Sequence, residues 1–583
     1  MGAQLIHSNE PQNFDSNIRV MAGPGAGKTH WLIGQLKEIL KYSDRLGNCR
    51  KIACITYTNK ACENIQQKIK FGMDRIEVST IHAFLYANVI KPYFHLIADL
   101  FNFDIKKLDG HDDTVYTHYE FINSVIGKSG CGSVFQNSRV KVSYSKIGQY
   151  ISSYRWNLTD KRISLEQSGK SYPLYGLLKN KFVNCYKQEV WSQKGIMHDD
   201  DVLFFSYQLF IKCPRIKRLI SNKFPYILVD EYQDSSSIQH FLIEKLAKER
   251  SYVTVIGDEA QSIYGFAGGD VRFIHEIDFP HLADYTIADN RRSTKSIVNF
   301  LNVLRPELNQ KNVREEDYGC PQLLIGPVIQ AYNKSKSLCK DGEGKQKDIY
   351  TLSWSNQTAN EMKIHVQPSF VSKNLFEQLL ELSDAHERSR KFIACVKAVE
   401  NARQMLMDDA VKSLSKGFSL DIRNLDDKKK AVRYLKILCS KYDDYSKGDG
   451  NQLLAIIKES MDSRIGLVRS GKPKELFAHP YLDFAREVNC KEDQTTNMTI
   501  HKAKGLEFDN VFVIIESENE AVDFLINTDL QKKADDHRLF YVACSRASNR
   551  LFLSVPNLSE ETQQLIHNRF GELLNIYRLE SDN

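Results

Sequence analysis

The segment that most constrains this chain is Ile18–Thr29. An apolar run, Ile18–Met21, leads into Ala22-Gly23-Pro24-Gly25-Ala26-Gly27-Lys28-Thr29, and a helical pattern follows over Thr29–Tyr42. Small residues let backbone N–H groups come close to phosphate oxygens. A helix N-terminus adds the positive end of its dipole. In a strand–loop–helix of this kind Lys28 reaches the β- and γ-phosphates and Thr29 ligates Mg²⁺. Ala22 stands where the strict pattern has its first glycine. The segment is therefore expected to bind ATP through the whole loop, Ala22 to Thr29.

A phosphate loop needs an acidic partner at the end of a neighbouring strand. The run Tyr226–Val229 ends in Asp230-Glu231-Tyr232-Gln233-Asp234. Asp230 is placed to hold Mg²⁺, and Glu231 to orient and deprotonate the attacking water. The next run, Val253–Ile256, ends in Gly257-Asp258-Glu259-Ala260-Gln261-Ser262-Ile263-Tyr264-Gly265-Phe266. Gln261 can sense a γ-phosphate there. Tyr264 and Phe266 offer flat faces for stacking bases; packing into a core is the other reading of both aromatics.

Apolar runs of strand length recur in two zones, the second comprising Ile349–Leu352, Met498–Ile500, Val511–Ile515 and Leu551–Ser554. Runs of this kind alternating with helical patterns read as buried strands of parallel sheets. Two mostly helical inserts interrupt them, at about 91–194 and about 370–490, and Asp341–Lys345 reads as a loop. The fold class expected is α/β, two cores each with a helical insertion. The acidic run His198-Asp199-Asp200-Asp201 reads as a helix N-terminal cap rather than a metal site, and His111-Asp112-Asp113 as a solvated loop.

Composition narrows the class without naming it. There are 79 Lys+Arg against 73 Asp+Glu, a formal charge of +6, which permits a nucleic-acid partner without requiring one. Twelve dispersed cysteines with no C-x-x-C pair fit reduced thiols in the cytoplasm. The first six residues carry no secretion pattern, and no apolar run approaches the roughly 20 residues of a membrane span. Few residues follow Arg546, so no fused nuclease is expected there.

Taken together these stretches resemble superfamily 1A helicases of the UvrD/Rep/PcrA-like group. Thr56-Tyr57-Thr58-Asn59-Lys60-Ala61 is similar to the family's T-F-T-N-K-A motif, and Ser79-Thr80-Ile81-His82-Ala83-Phe84 to the segment that follows it. Asn290-Arg291-Arg292-Ser293 matches N-Y-R-S, Thr499–Phe508 matches T-x-H-x-A-K-G-L-E-F, and Arg538–Ala547 matches R-L-x-Y-V-A-x-T-R-A. The resemblance implies two RecA-like domains: 1A at 1–90 and 195–300, and 2A at 301–370 and 490–583. The helical insertion 1B would then be 91–194, and a reduced 2B-like insertion 371–489. It implies γ-phosphate contacts from Arg292 and Arg546 and nucleotide contacts from Gly505 and Glu507. Contacts to single-stranded DNA would come from Tyr57, Thr58, Asn59, Thr80, His82, Thr499 and His501, with Tyr264 and Phe266 as the stacking aromatics.

Arg291 takes the place of the tyrosine that stacks on adenine, a place its guanidinium plane can fill. Ala267 stands where many relatives have arginine. Gln4 and Gln12 are the candidates for an adenine-reading glutamine. The resemblance implies an ATP-dependent 3′→5′ translocase or helicase. An alternative is a DNA-dependent ATPase subunit that licenses a partner nuclease with little unwinding of its own; a P-loop ATPase with no nucleic-acid partner fits the DNA-contact motifs poorly. Ile81–Phe94 and the compact second insert further resemble the helicase subunit of the Gabija antiphage system, whose partner is a nuclease of the overcoming-lysogenisation-defect type.

Overall fold

In a computed structural model of the chain, the described residues are 3–69, 71–108, 110–111, 115–116, 119–132, 144–160, 162–167, 179–263, 268–340, 344–366, 375–381, 386–403, 407–420, 424–468, 470–489, 496–531 and 536–579. They divide into two units, Met1–Trp354 with Ile500–Asn583, and Ser355–Thr499.

The first unit holds two parallel sheets. The first sheet is built from β1 (Gln4–Ile6), β2 (Asn17–Ala22), β3 (Ile52–Thr56), β4 (Ile76–Thr80), β5 (Tyr226–Val229), β6 (Tyr252–Gly257) and β7 (Leu282–Ile287). Their spatial order is β1-β7-β2-β6-β5-β3-β4, every pair parallel. The second sheet takes β8 (Gln322–Ile325), β9 (Tyr350–Ser353), β10 (Phe508–Ile514), β11 (Ala547–Val555) and β12 (Asn575–Arg578). Within this unit it runs β9-β10-β11-β8-β12, again all parallel.

Successive residues of a strand point to opposite faces. On β3, Ile52 and Cys54 enter one apolar cluster and Ala53 and Ile55 another. Both faces are covered, which is why this strand reads as an unbroken apolar run. Helix α1 (Lys28–Tyr42) buries Trp31, Leu32, Leu36 and Ile39 on one stripe, spaced so that they share one face. The strands β4 and β7 do not read as strands in the sequence, because most of their residues are only partly buried and polar residues interrupt them.

The segment between β4 and β5 is mostly helical, as the sequence suggests, but it also carries two strands. Tyr154–Thr159 and Arg162–Gln167 form an antiparallel hairpin, turning at Asp160 with φ 49°. The acidic run does start a helix, Asp199–Lys212, where Asp201 accepts the backbone N–H of its N-cap His198. Its carboxylates do more than cap. Asp201 accepts the ring N–H of Trp156 and of Trp191 at 2.9 Å and the Lys187 ammonium at 2.6 Å, all buried or nearly so. Asp200 accepts the Trp156 backbone N–H and so pins the hairpin. His111 bonds Asp199 at 2.5 Å rather than standing free, while Asp112 and Asp113 lie outside the described residues. So does most of the loop expected at Asp341–Lys345.

The second unit is mainly helical. His386–Arg403, Met407–Phe418, Leu425–Ser440, Gly450–Ser460 and Tyr481–Asn489 surround a core that includes Phe392, Val396, Leu414, Leu438, Leu453 and Phe484. No helix among the described residues is long and apolar enough to cross a membrane.

Candidate nucleotide site

Parallel α/β sheets offer their binding crevice at the carboxyl ends of the strands. β2, β6 and β5 are consecutive in the first sheet. Their ends deliver the phosphate loop, Gln261, and the pair Asp230–Glu231 to one edge.

The loop between β2 and α1 is held open by its neighbours. Gly25 has φ 68°, a conformation side chains resist, and a Cβ there would come within 2.6 Å of Asn290 Oδ1. A Cβ on Gly23 would meet Leu308 and Gln310 at 2.4 and 2.6 Å. Gln310 Nε2 and Asn290 Nδ2 donate to the Pro24 carbonyl at 2.9 and 3.2 Å, and Arg291 N donates to the Gly25 carbonyl at 2.9 Å. Helix α1 starts after Gly27 with no side-chain cap, so its first N–H groups remain open for an anion. Lys28 Nζ rests on the Ala22 carbonyl at 3.3 Å.

Asp230 and Glu231 end β5. Glu231 has φ 52°, left-handed for a non-glycine residue, a strain of the kind that collects at functional sites. Its Oε2 accepts Gln233 Nε2 at 2.6 Å, and Gln233 Oε1 accepts the Asp258 N–H at 3.0 Å. Burial and the adjacent Glu231 push the Asp230 carboxyl up. Burial would raise Glu231 too, but Lys28, Lys504, the Gln233 amide and Arg546 hold it down. A buried carboxylate pushed up in this way is relieved by a cation. Thr29 and Asp230 carry hard oxygen donors of the kind that would suit Mg²⁺.

The second sheet closes this edge with cations. Lys504 pairs with Asp234 at 2.5 Å, where burial pushes Asp234 up to about 6 against that pull. Arg546 Nη2 donates to Gln261 Oε1 at 2.7 Å and Nη1 to the Leu506 carbonyl at 3.3 Å. Arg292 Nη2 lies 2.5 Å from Glu507 Oε1, and its Nη1 donates to the Ser545 carbonyl at 2.9 Å. Burial, then Arg292, pushes Arg546 down to about 10. Among the described residues, the Nε of Arg292 and the Nε of Arg546 are both buried without a hydrogen-bond partner. Two crowded guanidiniums with unspent donors suit a polyphosphate. Gly505, at φ 82°, has open space where a Cβ would be.

Several residues of this edge escape a reading of the sequence. A cavity of about 360 Å³ adjoins the start of α1, lined by Ser8, Pro11, His30, Ile33, Lys37 and Lys68 among others. Arg291 borders it, donating Nε to Ser8 Oγ at 2.7 Å and lying 3.4 Å from Asp289. Gln12 is committed to Gln35, each donating to the other at 2.8 Å, and Gln4 is exposed on β1. Neither candidate glutamine lines the cavity. His30 directly follows Thr29, which is the one local signal that pointed here; Ser8 and Pro11 lie far from the loop in sequence and gave none.

The DNA-contact candidates from the first sheet gather at its other strand ends. Thr56 of β3 is in register with Thr80 of β4, which brings Tyr57, Thr58 and Asn59 beside Thr80 and His82. Thr58 and Thr80 cap the following helices, accepting N–H groups of Ala61 and Ala83 at 3.2 and 3.3 Å. An accepting hydroxyl keeps its O–H to donate. Thr58 and Asn59 are exposed, and Tyr57, Thr80, His82 and His501 half-buried. Thr499 is buried at the end of the second unit. Tyr264, Phe266 and Ala267 lie outside the described residues.

Comparison with known proteins agrees with this arrangement. The UvrD/REP helicase N-terminal domain matches residues 6–280, and the UvrD-like helicase C-terminal domain residues 496–554. The chain is 23% identical to the YjcD protein of Bacillus subtilis, over 92% of the chain and 77% of that protein. It is 25% identical to the ATP-dependent DNA helicase Rep of Buchnera aphidicola, over 92% of the chain and 88% of that protein. Its match to the ATP-dependent DNA helicase PcrA of Staphylococcus aureus is 26% identical and spans 52% of the chain but 40% of PcrA.

Proposed function

This chain belongs to the UvrD/REP family of ATP-dependent DNA helicases, and on that premise we propose that it hydrolyses ATP between its two sheets to move 3′→5′ along single-stranded DNA. The observation that carries this reading is the field around Glu231, which feels Lys28 from the first sheet's loop and Lys504 and Arg546 from the second. Cations from two sheets converge on one carboxylate, so a nucleotide there joins the sheets and its hydrolysis lets them part.

In this reading the loop Ala22–Thr29 and Lys28 cradle the phosphates. Thr29 and Asp230 would hold Mg²⁺, which neutralises phosphate charge. Glu231 orients water and takes its proton. Arg292 and Arg546 leave their protein acceptors for the γ-phosphate, with Gln261 beside them. The cavity at His30 takes the base and ribose; it lies in the size range of roughly 300–1,000 Å³ typical of ligand pockets, and Arg291 and His30 offer flat faces to a purine. Gly505 and Glu507 border the nucleotide from the second sheet.

The strand ends carrying Tyr57 to Asn59, Thr80 and His82 would grip DNA, together with Tyr264, Phe266, Thr499 and His501. The domain limits 1–90 with 195–300, 91–194, 301–370 with 490–583, and 371–489 belong to the same proposal. So does a cytoplasmic setting, consistent with the composition. Resemblance of Ile81–Phe94 to the Gabija helicase subunit is what supports an antiphage role.

The test is steady-state ATPase with no nucleic acid, single-stranded DNA, duplex DNA and RNA, beside Lys28→Ala. Strong stimulation by single-stranded DNA, abolished in the variant, is expected. Unwinding of a 3′-tailed duplex but not a 5′-tailed one then gives the polarity. ATPase indifferent to every nucleic acid would overturn the motor reading.

A further inference from the structure

Three arginines reach the turn after β6 from outside the first sheet's own strands. Arg538, on the helix Asp536–Cys544, donates Nε to the Ser262 carbonyl at 2.7 Å. Arg546 Nη2 donates to Gln261 Oε1. Arg305 follows the helix Lys295–Leu304 and is 4% exposed. Its Nη1 lies 2.5 Å from Asp258 Oδ1, its Nη2 3.3 Å from Glu259 Oε1, and its Nε 3.2 Å from Glu307 Oε1. No sequence motif singles Arg305 out.

Asp258 is fully buried and spends both carboxylate oxygens. Oδ1 meets Arg305 and the Ala260 N–H; Oδ2 accepts Gln261 Nε2 at 2.6 Å. Both ends of the Gln261 amide are therefore engaged within the protein, nitrogen to Asp258 and oxygen to Arg546. Phosphate oxygens only accept hydrogen bonds, so they need the N–H groups of this side. Gln261 Nε2 and Arg546 Nη2 already have acceptors. A triphosphate must draw them away, while a diphosphate, one phosphoryl group shorter, does not.

We propose that the Arg305–Asp258 ion pair is a positioning device that parks Gln261 off the γ-phosphate place: Arg305 fixes the Asp258 carboxylate, and Asp258 holds the Gln261 amide until a triphosphate competes for it. This rests on the reading of Gln261 and Arg546 as γ-phosphate contacts. The consequence is a built-in discount on triphosphate affinity that diphosphate affinity does not share. Arg305 itself touches no nucleotide; it acts through Asp258.

The test measures equilibrium binding of Mg²⁺-ADP and of a Mg²⁺-bound, non-hydrolysable ATP analogue to the full chain by fluorescence titration. The double variant Arg305→Met with Asp258→Leu replaces a buried ion pair by apolar side chains of similar size, a change that proteins often tolerate. It should bind the analogue about tenfold more tightly relative to ADP, the scale of one charge-assisted hydrogen bond released. Arg305→Lys keeps a cation on Asp258 and should leave the ratio within about twofold of wild type. If the double variant does not fold, Asp258→Asn keeps the shape but weakens the hold, and about a threefold rise is expected. An unchanged ratio in a folded variant, or equal weakening of both nucleotides as a merely structural role would give, overturns the proposal. Lys28→Ala is the separate control. Wild-type binding of both nucleotides by Lys28→Ala would remove the phosphate-site reading, and the inference with it.

Discussion

The phosphate-loop half of the site and its arginine half reach their geometry by different routes. The loop half is a product of one sheet. Parallel strands end together, the loop stands on glycines, and Asp230 and Glu231 follow β5, one strand removed from β2. Its donors are backbone N–H groups and one lysine resting lightly on the Ala22 carbonyl. The arginine half is assembled across two sheets, and its Nη donors are already engaged: Arg292 on Glu507 and Ser545, Arg546 on Gln261 and Leu506. The first half is preorganised to bind, whereas the second must exchange partners before it can help hydrolysis. Binding and turnover should therefore separate cleanly under mutation.

Arg546→Ala tests this split most severely. An arginine finger is worth about 10³–10⁵ in turnover in other nucleotide hydrolases. We expect a kcat loss in that range with nucleotide binding kept within about tenfold, measured by steady-state ATPase and by titration. Turnover near wild type would mean that the second sheet does not complete the site. Glu231→Gln probes the loop half with a smaller effect. Removing a general base costs typically 10²–10⁴, and binding should be retained because Lys28 and the backbone donors are untouched. Equal loss of binding and turnover would instead assign Glu231 to holding the loop. Its left-handed backbone makes that outcome a real competitor, and circular dichroism melts of the variant separate the two.

The same contrast governs what the sequence made legible. β2, β3, β5, β6 and the loop after β2 are local patterns: short, mainly apolar runs and a glycine-rich turn, readable because these strands are largely buried. The acidic run at Asp199–Asp201 read correctly as a helix start, but its bonds to Trp156, Lys187 and Trp191 come from other elements. β4 and β7 escaped because partial burial admits polar residues. The supports of the site escaped because they are long-range. Gln310 holds the Pro24 carbonyl from 286 positions away, and Arg305 reaches Asp258 across 47. No periodicity encodes such pairs; only the fold brings them together.

The smallest effect sharpens the comparison at its edge. The cavity beside α1 is the one part of the site that serves neither half directly. His30 lies on its wall, next in sequence to Thr29, and Arg291 borders it through Ser8. If the base sits between these flat groups, it adds uniform binding and does not touch the chemistry. Base–aromatic contacts are worth about 1–3 kcal/mol, and the low end corresponds to about fivefold. His30→Ala should therefore raise KM for ATP about fivefold and leave kcat unchanged, and it should narrow the gap between ATP and pyrimidine triphosphates. A fall in kcat with KM unchanged would place His30 with the phosphates instead. The cavity would then belong to the loop half, and the base would have to be bound elsewhere.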